Sequence, residues 1–81
     1  MNIETKFENE LKEHEFEYYK VNNTFYVCCE IDFTVKLLLK YIITPINKEY
    51  VKKGFVLGAF EYETLSKYNK WYEVNIFKKQ D

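Results

Sequence analysis

The sequence predicts a small α+β domain: a mostly antiparallel sheet of four to five strands with two short helices packed on one side, in the order α-β-β-β-α-β-β. Three observations carry this reading. The first stretch repeats its apolar residues at helical spacing, and the period changes to two from Glu15 onward. A segment bounded by Pro45 and Gly54 then carries helix start and stop signals ahead of two further alternating runs. At 81 residues the chain suits one domain over positions 1–81, with Pro45, Gly54 and Gly58 as its only Pro and Gly residues and no candidate linker.

Asn2 is a suitable cap for a first helix over Ile3 to Glu13, in which Ile3, Phe7 and Leu11 form the apolar stripe and early Glu residues suit the positive end of the macrodipole. Asn22-Asn23 then separates Phe16–Val21 from Thr24–Ile31, as a two-residue hairpin turn requires. Pairing Val21 with Thr24 puts Phe16, Tyr18, Phe25, Val27, Cys29 and Ile31 on one face. Glu15, Glu17, Tyr19, Tyr26, Cys28 and Glu30 fall on the other.

Phe33 to Thr44 fits two periods, strand through Val35, Leu37, Leu39, Tyr41 and Ile43, or helix through Val35, Leu38, Leu39 and Ile42; its β-branched and aromatic content favours strand. Thr44 as N-cap, Pro45 at the first helical position, Lys52 and Lys53 in the last turn and Gly54 beyond it predict a short second helix. Phe55 to Thr64 and Trp71 to Lys78 read as the last two strands, with Gly58 marking a bulge or a close backbone approach.

Composition narrows the function. Hydrophobic residues at 47% and aromatics at 20% support a packed core. Lys, Asn, Ile, Tyr and Phe supply 40 of the 81 residues, a bias expected of a low-GC genome, so the tyrosine excess counts for less as a binding signal. All 12 basic residues are Lys, and without Arg the planar fork that reads guanine and clamps phosphate is missing. The N-terminal residues lack a basic region followed by an apolar stretch, and the longest apolar run, Val35 to Ile46, is broken by Lys36 and Lys40. A cytoplasmic protein with no membrane segment is expected, in the host-cell cytoplasm if phage-encoded.

Catalytic and metal-binding groups are sparse. Cys28 and Cys29 are adjacent, so in a strand they point to opposite faces and cannot chelate jointly; they read as reduced, buried small hydrophobes, the other readings being a vicinal disulfide or an intermolecular link through an exposed Cys28. His14, Ser66, Asp32 and Asp81 are too few to suggest a nucleophile with its base, and His14 suits a helix C-terminus. No enzyme activity, metal or cofactor is expected. Lys53-Gly54-Phe55-Val56-Leu57-Gly58-Ala59-Phe60 matches the RNP1 pattern at Lys53, Gly54, Phe55 and Phe60 but fails in the middle and in element order.

Charge segregation is the most informative pattern: residues 1–17 carry six Glu against Lys6 and Lys12, while residues 36–53 carry five Lys against Glu49. The leading expectation is a non-catalytic protein-binding module that docks on a basic partner through Glu13, Glu15 and Glu17 with Tyr19 and Tyr26. So small and catalytically poor a chain suits a phage or mobile-element inhibitor of a host or defence enzyme, for example of the anti-CRISPR kind, acting by surface occlusion. The alternative, less expected, is a single-stranded nucleic-acid binder using Lys52, Lys53, Lys67, Tyr68, Lys70 and Trp71, whose lysines interleave with aromatics that can stack bases. A homodimer or other homo-oligomeric structural protein, built by pairing the opposite patches, is the third.

Overall fold

The structure, a computed structural model, describes residues 1–62 and 69–79. Helix α1 spans Ile3–Glu13 and buries Ile3, Phe7 and Leu11; Asn2 caps it, its side-chain oxygen accepting the Thr5 N–H at 2.7 Å. The helix closes in a Schellman turn: Phe16 N–H donates to the Leu11 carbonyl at 2.9 Å and Glu15 N–H to that of Lys12 at 3.1 Å. Glu15 takes the left-handed position that this turn needs, at φ +57°, where glycine is the usual residue. His14 is the C-cap, with Nδ1 2.9 Å from the Glu10 carbonyl.

Strands β1 (Tyr18–Val21) and β2 (Thr24–Cys29) form the expected hairpin, with Val21 paired to Thr24 and Asn22 at φ +56°. With β3 (Phe55–Tyr62) and β4 (Lys70–Lys78) they make an antiparallel sheet in the order β1-β2-β4-β3. The inward positions of the sheet, Phe25, Val27, Cys29, Leu57, Tyr72 and Val74, pack on the helices around Phe7, whose ring meets Phe25 edge-on at 5.1 Å.

The strand expected over Phe33 to Thr44 is helix instead, and the short helix expected to start at Thr44 is its continuation. One joined helix, α2, runs over residues 32–53 as an α-helical turn Asp32–Lys36, a π-helical stretch Leu37–Ile43, an α-helix Thr44–Tyr50 and a closing 3-10 turn Val51–Lys53. Packing decided between the two periods: the helical stripe of Leu38, Ile42, Ile43, Ile46 and Tyr50 is buried, whereas Tyr41, inward in the strand reading, is exposed. The π stretch has a local cause. Pro45 has no N–H, and inside an α-helix its ring would clash with the carbonyl four residues back. A wider π-helical turn precedes it, in which Thr44 satisfies the Leu39 carbonyl with both its N–H and its hydroxyl, the latter at 2.8 Å.

The long helix also covers one sheet edge. Asn47 donates to the Leu57 carbonyl at 2.9 Å and accepts the Leu57 N–H at 2.7 Å, standing in for the strand that edge β3 lacks. Among the described residues no helix is long and apolar enough to cross a membrane.

Candidate protein-binding face

Both helices pack on the inner face, so among the described residues no helix covers the outer face of the sheet. The register sets what stands on it: Tyr19 and Val21 from β1, Thr24, Tyr26 and Cys28 from β2, Trp71, Glu73, Asn75 and Phe77 from β4, and Val56, Gly58, Phe60 and Tyr62 from β3. Tyr19, Val21, Phe60, Tyr62 and Phe77 on this face are half of the large hydrophobic side chains left exposed among the described residues, so exposed apolar surface is concentrated here rather than scattered.

The rings form a connected layer. Tyr19 stacks on Tyr26 at 5.2 Å and leans on Trp71 at 5.6 Å, while Tyr26 meets Tyr62 edge-on at 5.6 Å. Phe60 and Phe77 form a second edge-on pair at 6.4 Å, and the Phe77 ring lies across Gly58, where an added Cβ would come within 2.6 Å of it. Gly58 therefore serves the close approach of a ring.

Electrostatically the face is acidic. Glu73 is its only charged residue within the four strands, and it accepts the Tyr26 hydroxyl at 3.3 Å. Burial, and then Glu73, push the Tyr26 phenol above its ordinary pKa. Glu17 extends the face past β1, where its carbonyl accepts the Cys28 N–H at 2.9 Å. Glu15, Glu17 and Glu30 line a cleft of about 240 Å³ beside Cys28. None of these three forms an ion pair among the described residues.

The predicted protein-binding residues are thus partly gathered. Glu17, Tyr19 and Tyr26 share the outer face and Glu15 borders it, while Glu13 is exposed on the last turn of α1 and does not line the acidic cleft. The predicted nucleic-acid set is split. Lys52 and Lys53 end α2 beside the end of β4, whereas Lys70 and Trp71 start β4, roughly 25 Å away at about 3.3 Å per residue. Lys70 is 3.9 Å from Asp32, Trp71 belongs to the aromatic layer, and Lys67 and Tyr68 lie outside the described residues. Reading the strands singly missed Phe60, Tyr62, Glu73, Phe77 and Glu30; the period-two alternation was visible, but the order of the strands was not.

Cys28 is buried, 4% exposed, against the reading that it is available for an intermolecular link. Burial lifts both thiols, Cys29 to about 11, and Glu17 and Glu30 lift Cys28 further. Among the described residues no cluster of His, Cys, Asp and Glu could hold a metal ion. No protein-family model matches the chain, and no match was found among curated proteins or solved structures.

Proposed function

We propose that the chain is a non-catalytic protein-binding module whose outer sheet face docks on a basic, partly apolar surface of another protein. The single observation that carries this is the layer of Tyr19, Tyr26, Phe60, Tyr62, Trp71 and Phe77, which no helix among the described residues covers, with a carboxylate in its midst and no lysine on that face within the strands. Tyr and Trp bury large areas at low rotamer cost, and their faces attract the Lys and Arg side chains that Glu73, Glu17 and Glu30 would also attract. A polyanion meets the opposite conditions there, because phosphates would face carboxylates with no cation to neutralise them. A chain that covers a basic site on an enzyme inhibits it by occlusion, the mode of action that suits so small a module.

The test is affinity capture from nuclease-treated lysate, followed by affinity measurements on the purified captured protein with wild type and with Tyr19→Ala/Trp71→Ala. Loss of at least about 2 kcal/mol, roughly thirtyfold, in the double variant supports the reading. Unchanged affinity, or capture that vanishes with nuclease, overturns it.

A further inference from the structure

We propose that the cleft between the end of α2 and the end of β4 binds an oligophosphate chain of three or more phosphates. Two lysine dipeptides far apart in sequence meet there. Gly54, at φ +88°, ends the helix and turns the chain into β3, and its carbonyl accepts the Lys79 N–H at 2.7 Å, so Lys52-Lys53 and Lys78-Lys79 are brought side by side. Together with Val51 and Gly54 they line an open cleft of about 460 Å³, so among the described residues four lysines and no acidic residue border it.

None of the four lysines forms an ion pair among the described residues, in contrast to Lys6, Lys20 and Lys70. Four like charges on one cleft raise its potential, and a compact polyanion relieves their repulsion. Lysine binds phosphate as a point charge rather than a planar fork, so the cleft selects charge density and chain length over geometry. Among the described residues no aromatic ring lines this cleft, so it offers no stacking platform of the kind a single-stranded nucleic acid uses. Lys53, held 4.8 Å above the Tyr50 ring, and Lys78 also border an adjoining cavity of about 430 Å³ walled in part by Tyr50, Phe55 and Ile76. The organic part of a phosphate ester has room there, so the oligophosphate is either free or the tail of a nucleotide.

The experiment is a titration of the full chain at physiological ionic strength with inorganic tripolyphosphate, ATP, orthophosphate and oligo-dT, followed by backbone amide shifts. Saturable tripolyphosphate binding is expected, with shifts at Lys52, Lys53, Gly54, Lys78 and Lys79 and much weaker orthophosphate binding. Lys52→Ala/Lys79→Ala should weaken it by about tenfold or more, while Lys12→Ala/Lys36→Ala, which removes the same charge elsewhere, should leave it unchanged. All four side chains are exposed, so both variants should fold. Tighter binding of ATP with shifts reaching Phe55 and Ile76 assigns a nucleotide as the source, and equal affinity assigns the phosphate chain alone. Equal weakening by both double variants, absence of saturation, or tighter binding of oligo-dT than of tripolyphosphate overturns the proposal.

Discussion

Glu73 stands opposite Tyr26 across the β2–β4 ladder and accepts its hydroxyl hydrogen at 3.3 Å. A carboxylate is thereby fixed inside an aromatic layer, where it can meet a cation that the rings also attract. Glu73→Lys should lower affinity for a basic partner at least tenfold and Glu73→Gln by less. Because the site is a surface one, the melting temperature of both variants should stay within about 2–4 °C of wild type. Equal binding by Glu73→Lys in a calorimetric titration would show that the carboxylate takes no part.

Glu15 holds a left-handed conformation that costs an L-residue roughly 1–2 kcal/mol. Glycine adopts it freely but is looser in the unfolded chain, so Glu15→Gly should stabilise the protein by about 1 kcal/mol. For a domain of this size that is a rise in melting temperature of about 4–8 °C, read by circular dichroism. A melting temperature at or below that of wild type would mean that the Glu15 side chain offsets its strain through contacts of its own.

Removing the Asn47 amide leaves the Leu57 N–H and carbonyl without partners at a partly buried position. Asn47→Ala should cost about 1–3 kcal/mol. In urea unfolding the midpoint should fall with the slope unchanged. Asn47→Asp keeps the acceptor for the Leu57 N–H and loses the donor, so its midpoint should lie between those of wild type and Asn47→Ala.

The Tyr18 phenol is pushed up to about 12 by burial and by its 2.8 Å hydrogen bond to Glu8. In the unfolded chain it ionises near 10.0, so the folded state favours the neutral phenol. That stabilisation is complete below pH 10, and it is lost as the pH rises through the folded value of about 12. Melting temperature should therefore decline over that window, and Tyr18→Phe should make the decline shallower. Tyr26 and Tyr72, both raised chiefly by burial, leave a residual slope. An identical profile for Tyr18→Phe would remove Tyr18 as its source.

Local chemistry was legible where one residue sets one geometry. Asn2 caps α1, Asn22 turns the hairpin and Gly54 ends α2, because each acts on backbone groups within a few residues. Residues 33–44 were not legible, since their apolar residues satisfy both periods and only the burial of Leu38, Ile42 and Ile43 against the sheet separates them. Pro45 misled for a related reason: a proline reads as a helix start unless the preceding turn widens around it, as Leu37–Ile43 does.

The α+β class, the α1 boundaries, the Val21–Thr24 register and the sparse supply of catalytic groups could be read along the chain, since all follow from composition, period and short-range hydrogen bonding. It took the packed fold to bring Trp71 to Tyr19 and Tyr26 in one aromatic layer and Lys52 and Lys53 to Lys78 and Lys79 at the end of β4. Strand order and chain reversal place residues distant in sequence side by side, and those pairings come from burying one common core rather than from any local preference.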